Sequence, residues 1–330
     1  MLVSAKSGEI SITASDGQVT FTSDCEADVK TGDSVIIPGR MLSEFSKYFG
    51  KSIFLESDGT SATVTSGKSQ FSLSASPGSR FPKWLEFPDV LGKLDSGDFA
   101  DAVRIVNMAA ARNDPVLRAV RMDITDGKLL MVSTDRSRMA LASPQLTAVT
   151  LKADVSSPGP VLMPSSVLER FSHVLGDEVS FGWNATLAGV ATEGLTVTAP
   201  QVSGKFAEGW EMITRDYPPE IPVDGAELVS AVKMATLAAG DRGTVKLSFG
   251  EVLTVSASQD AGYRGELEWD APGDEGIAGV TREQRSFDFT PRYLLDGISL
   301  GDDISLAYTG RAFLITSGDV RYLVQPRRTA

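Results

Sequence analysis

Apolar residues recur along this chain in two periods. Three stretches run from a short apolar strand through a proline into a helical pattern: VIIPGRMLSEFSKYFG (35–50), VLMPSSVLERFSHVLG (161–176) and FDFTPRYLLDGISLG (287–301). Proline suits the first turn of a helix, where its missing N–H leaves no bond unmade. Counted from Pro38, the apolar offsets +3, +4, +7, +10 and +11 are Met41, Leu42, Phe45, Tyr48 and Phe49. Counted from Pro164, the same offsets give Val167, Leu168, Phe171, Val174 and Leu175. From Pro291, the offsets +3, +4 and +7 give Leu294, Leu295 and Ile298. Each set forms one face of a helix of about three turns, expected to lie against a core.

Strand alternation follows each helix. SIFLES, SATVTS and SQFSLSAS come after the first, EVSFGW, LAGVAT and GLTVTA after the second, and DISLAY, RAFLIT and VRYLVQ after the third. Before each helix stand a turn, a strand, a bend and a second strand: DGQVTFTSDCEADVKT from 16, DGKLLMVSTDRSRMALA from 126, and GEVLTVSASQDAGYRGELE from 250. Further helices are expected upstream at 99–112 and 226–240, whereas the first unit starts at its strand. The three prolines are 126 and 127 residues apart. This shared order predicts three α+β units, 1–92, 93–214 and 215–330, each with strands on one side and helices on the other. Linkers are expected at FPDVLGKLDSGD (87–98) and TRDYPPEIPVDG (214–225), both rich in Pro, Gly and Asp.

Composition narrows the function. A net charge of −12 argues against general affinity for polyanions and leaves room only for a local basic lining. Cys25 is the single cysteine, so no internal disulfide forms, which fits a reducing, cytoplasmic setting. No apolar run of about 18 residues is present, and the start lacks the apolar stretch of a signal peptide, so no membrane partner is expected.

Enzyme signatures are sparse. His173, the only histidine, sits beside Ser172 on a predicted helix surface and reads as solvated. Cys25 and His173 lie in separate units. There is no phosphate loop, dinucleotide fingerprint or zinc spacing, so no catalytic residue, metal or cofactor is assigned. A hydrolase built on repeated units would lack any nucleophile–base spacing. Trp84 and Trp210 occupy matching places after the last strands of the first two units and read as packing at domain junctions. The stretch VSTDRSRMALA places two arginines beside a strand end. Three readings stand: a catalytic site, a salt-bridged surface turn, or the rim of a binding pocket.

The three-unit order, VSTDRSRMALA and the terminal YLVQPRR together resemble the bacterial sliding clamp, the beta subunit of the replicative DNA polymerase, over essentially the whole chain. The resemblance implies a ring of two chains with three clamp-type domains each. Helices would line a central hole that passes duplex DNA without reading sequence, and sheets would form the outer wall. It implies a non-catalytic processivity factor without a cofactor, whose partners are a polymerase subunit, a clamp loader and repair proteins. These would dock short linear motifs in a pocket between the second and third domains.

Carried over by motif, the pocket uses Leu117, Thr134, Arg138 and Met139, then Tyr293, Ala312 and Leu314, with Leu323, Gln325, Pro326, Arg327 and Arg328 from the tail. DNA-facing candidates are Arg40, Lys47 and Lys51 on the first-unit helix, Arg104 and Arg112 on the second-unit helix, and Arg170, Lys233, Arg242 and Arg292. Ring closure would bring Phe71 and Leu73 of one chain to Thr236 and Leu237 of the other. This chain departs from the family pattern at Arg136 and Ser137, where Gly-His is usual, and at Gln325, where Met is common. The family's usual first strand and helix are missing from the first unit, through a misassigned start or a real truncation. That leaves fewer helices to line a ring. The alternative reading is a clamp-like decoy or regulator that keeps the pocket without encircling DNA.

Overall fold

The computed structural model describes residues 1–50, 52–150, 159–240, 243–257, 262–268 and 286–327. The chain separates into two compact units, Met1–Gly97 with Thr147–Pro158 and Arg170–Gln201, and Asp98–Leu146 with Gly159–Glu169 and Val202–Ala330. The second predicted unit, 93–214, contributes strands to both.

The first compact unit holds a ten-stranded sheet and a three-stranded one. In the larger sheet, strand Leu195–Pro200 pairs antiparallel with strand Thr20–Glu26, joining the first predicted domain to the second. The second unit holds an eight-stranded sheet, in the order Val161–Pro164, Ala119–Thr125, Lys128–Thr134, Arg138–Ala142, Val320–Val324, Phe313–Ser317, Asp303–Tyr308, Ile221–Asp224. A four-stranded sheet accompanies it. The eight-stranded sheet is built the same way as the ten-stranded one: strand Arg138–Ala142 of the second predicted domain pairs with Val320–Val324 of the third.

Five helices are described: α1 (Gly39–Ser46), α2 (Ser96–Ala109), α3 (Ser165–Phe171), α4 (Gly225–Ala239) and α5 (Pro291–Ile298). Asp224 caps α4 by accepting from the Glu227 N–H at 2.9 Å, meeting one of the donors a helix start leaves unbonded. The predicted faces of α3 and α5 are buried at Val167, Leu168 and Phe171 and at Leu294 and Ile298.

Four expectations need correction. The apolar face of α1 enters a core only in part: Met41 is 46% exposed, and Tyr48, past the end of the helix, is 81% exposed. Leu42 alone among the helix residues packs against the cluster of Val3, Val35, Ile37 and Ala62. Phe45 stacks on Phe71 at 4.3 Å. Val174 is likewise exposed, because α3 ends at Phe171 before the pattern does. Helix α2 ends at Ala109, so Arg112 lies beyond it.

The expected linkers are partly strand. Residues Gly92–Asp95 pair with Glu178–Trp183, and Ile221–Asp224 pair with Asp303–Tyr308. Gly92 serves close packing there, since a Cβ would stand 2.7 Å from the Phe181 ring.

Candidate protein-interaction site

Successive side chains of a strand point to opposite faces of its sheet. Met139 and Leu141 therefore share one face of the eight-stranded sheet, and the register sets Leu323 and Arg321 opposite them. Thr134 and Val132 pair with the same two residues from the other side. Leu314 pairs with Leu323, and Arg121 pairs with Val132. This face thus carries a row Thr134, Met139, Leu323, Leu314 beside a row Arg121, Val132, Leu141, Arg321. The apolar members join Ile213, Ala307 and Ala312 in one buried cluster.

A 3-10 helix, Trp210–Thr214, lies over that face. Phe206, Trp210, Met212 and Tyr217 pack on the cluster from above. Two arginines from the sheet fasten this cover. The Arg121 guanidinium lies 4.0 Å from the Trp210 ring centre, a cation–π contact. Arg321 donates to the Arg215 carbonyl at 2.9 Å and to the Asp216 carboxylate at 2.8 Å. Sequence reading missed both, along with Ile213 and Met212. The signal that marks the two arginines is a charge inside a largely apolar strand.

Arg138 alternates to the opposite face, which the helices cover. Its side chain is 8% exposed and pairs with the carboxylates of Asp135, at 3.0 Å, and Asp296. The guanidinium also lies 4.2 Å from the Tyr293 ring centre. Burial pushes the neighbouring Tyr322 hydroxyl above its usual range, against the pull of Arg138, so the phenol stays protonated. Two carboxylates and a phenol around one buried cation make this a structural lock.

The Thr134–Arg138 turn is braced from within. Asp135 accepts from the Ser137 and Arg138 N–H groups at 3.0 and 3.1 Å, and Thr134 donates to the Arg138 carbonyl at 2.7 Å. Arg136 adopts φ 76°, a left-handed conformation that glycine takes at no steric cost. Its side chain, 75% exposed, reaches Asp114 at 2.9 Å. Asp114 in turn accepts from the Val116 and Leu117 N–H groups at 2.9 and 3.0 Å, which sets Leu117 in its buried place. The salt-bridged turn therefore describes both arginines, and an apolar cluster lies beside them.

Of the residues assigned to the pocket, Thr134, Met139, Ala312, Leu314 and Leu323 come together on the covered face. Arg138 and Tyr293 meet on the other. The tail extends the strand pairing, with the Gln325 N–H donating to Ser137 at 3.0 Å and the Arg327 N–H to Asp288 at 2.7 Å. Gln325 and Arg327 are exposed and Pro326 is half-buried, while Arg328 lies outside the described residues.

The cationic candidates are at the surface, and some carry partners. Lys47 pairs with Glu44 at 2.8 Å and Arg104 with Asp101 at 3.4 Å. Arg40, Arg112, Arg170, Lys233 and Arg292 are exposed, and Lys51 and Arg242 lie outside the described residues. At the assigned interface positions, Phe71 and Leu73 belong to Ser69–Ser74, the edge strand of the three-stranded sheet, with Leu73 buried. Leu237 on α4 is 83% exposed, next to Thr236, whose hydroxyl donates to the Val232 carbonyl at 2.7 Å. His173 is exposed just past α3. Among the described residues no helix is long and apolar enough to cross a membrane.

Residues 1–85 match the family described as DNA polymerase III beta subunit, N-terminal domain. The solved DNA polymerase sliding clamp of Bacillus subtilis superposes with a TM-score of 0.84 at 21% identity, covering 100% of this chain and 91% of that one. The Streptomyces coelicolor beta sliding clamp is 27% identical across 99% of this chain and 91% of its own length. The beta sliding clamp of Micrococcus luteus is 30% identical over 258 residues, 76% of this chain and 82% of its own. With that identity sustained over most of both chains, on a clamp fold, the chain belongs to the beta sliding clamp family.

Proposed function

We propose that two copies of this chain close into a ring around duplex DNA and act, without catalysis, as a processivity factor for a replicative polymerase. Domains 1–92, 93–214 and 215–330 would be the three segments of each half-ring. The observation that carries the reading is the strand pairing of Arg138–Ala142 with Val320–Val324. It fuses neighbouring domains into one continuous sheet, as a rigid ring requires, and builds an apolar cluster at the seam. Closure would lay the edge strand Ser69–Ser74 of one copy against the third domain of the other, burying Phe71 and Leu237. A polymerase or loader peptide would dock over Met139 and Leu323, between Gln325 and Arg136, with an apolar side chain as anchor. Because Met139 and Leu323 are buried, the anchor reaches them only as Met212 and Tyr217 shift aside. A charge at Met139 would therefore damage the fold, and the exposed Gln325 is the better position to test.

The test is retention on DNA. Loaded onto a nicked circle by a cognate loader, the protein stays bound until the circle is linearised, and light scattering finds twice the 35.1 kDa chain mass. A second reading, a decoy that binds clamp-binding peptides without encircling DNA, is favoured by the net charge of −12 and by the pairing of Lys47 and Arg104 with neighbouring acids. A monomer that binds such peptides and is never retained on the circle would establish it.

A further inference from the structure

A groove of about 420 Å³ opens in the second compact unit at the edge strand Val161–Pro164. Its apolar lining is Pro160, Leu162, Phe206 and Trp210, and Arg121 enters it from the neighbouring strand. Arg121 is 9% exposed, and its Nη1 has no hydrogen-bond partner among the described residues. Buried donors are nearly always bonded, and one left unmet is costly. The same guanidinium donates through Nη2 to Asp123 at 3.1 Å and lies over Trp210.

These contacts say what the groove would take. The charge of Arg121 is already matched by Asp123. Lys205 is matched by Glu208 at 2.6 Å, and Glu211 adds a further carboxylate to the lining. Another anion would meet repulsion, so what Nη1 lacks is an uncharged acceptor. A peptide carbonyl supplies one, and the neighbouring apolar walls suit the side chain beside it. The volume is in the range of small-ligand sites. Phe206 and Trp210 also pack on the cluster of Met139 and Leu323, so the groove and that cluster share a wall.

We propose that this groove is a second peptide-binding subsite, which takes a short, uncharged, apolar segment of a partner chain with one backbone carbonyl on Arg121 Nη1. The loop 204–211 forms the outer wall and turns at Gly204 and Gly209, both at positive φ. Gly204 passes so close to Val116 that a Cβ would stand 2.6 Å from its methyl. Seating the carbonyl requires a small outward shift of this loop, because Nη1 is otherwise sealed. The subsite does not depend on ring closure.

The probe is N-acetyl-phenylalanine amide at millimolar concentration, compared with N-acetyl-phenylalanine, its carboxylate analogue. The readouts are the NMR signals of the Trp210 indole N–H and the Arg121 Nε–H. The expected result is a saturable shift of both with the amide and at least threefold weaker binding of the acid. Arg121→Leu keeps the apolar walls and should weaken amide binding about tenfold, the loss of one charge-assisted hydrogen bond. Gln325→Glu, at the rim of the Met139 pocket, should leave it unchanged, which separates this subsite from the proposed pocket. No saturable shift in the unaltered protein, or binding of the acid at least as tight as the amide, overturns the proposal. The comparison of the two probes needs no variant, so a misfolded Arg121→Leu leaves the test intact.

Discussion

The two faces of the eight-stranded sheet are fed by the same strand pairs and covered in different ways. On one face Arg138, Tyr322 and Phe313 lie against α5 and a group of packed aromatic rings that includes Phe249 and Phe287. Each buried side chain there is held by several others. On the other face Met139, Leu323 and Leu141 are covered by one 3-10 helix and its flanking loops, fastened by Arg121 and Arg321. A face covered by helices resists local opening, whereas one covered by a short pinned segment opens at low cost. The peptide pocket proposed above lies on the second kind.

That contrast can be broken at graded strength. Phe313→Ala on the helix-covered face should cost about 3–5 kcal/mol, seen as an early midpoint in denaturant, because the ring is fully enclosed. Arg138→Met should cost about 2–4 kcal/mol, since it leaves Asp135 and Asp296 without their buried counter-charge. On the other face, Arg321→Met should cost only about 1–2 kcal/mol. Its signature is hydrogen exchange: amides of 210–217 should speed up while those of the strands keep their protection. Equal acceleration in both would mean that the cover is not an independent unit.

The smallest effect concerns the turn beside both faces. The N–H groups of Leu117 and Val116, with the Arg136 guanidinium, hold the Asp114 carboxyl below its usual range. A carboxyl depressed in the folded state contributes stability above its unfolded pKa of about 3.9 and loses it as pH falls through the folded value. The Val116 and Leu117 amide signals should therefore stay constant from neutrality to about pH 4 and move only below it. Asp114→Asn should abolish that step, and a titration near pH 6 would contradict the assignment.

Much of the fold was legible because local alternation suffices to mark strands. SATVTS, EVSFGW, LAGVAT and DISLAY run over the strands Ser61–Ser66, Glu178–Trp183, Leu187–Thr192 and Asp303–Tyr308. Pairing was not legible, because alternation is silent on which distant strand lies alongside. The apolar face of α1 was visible too, but periodicity reports that a face is apolar and not what covers it. At the site, Met139 and Leu323 stood out, whereas Arg138 was grouped with Met139 although adjacent strand residues point apart. Of the cover from 206 to 217 only Trp210 stood out, since a 3-10 helix of five residues has no period to detect.

The place of strand Val320–Val324 in the interior of its sheet has a consequence for biosynthesis. Its partner strand leaves the ribosome long before it does, as the separation of 184 positions from Arg138 to Tyr322 indicates. At about 5–20 residues per second the wait is roughly 10–40 s. Throughout it, strand Arg138–Ala142 has an open edge of backbone donors and acceptors that any other strand can join. The nascent chain is therefore most vulnerable to aggregation in this window, and a chaperone that shields Met139 and Leu141 during synthesis would raise the yield of folded protein.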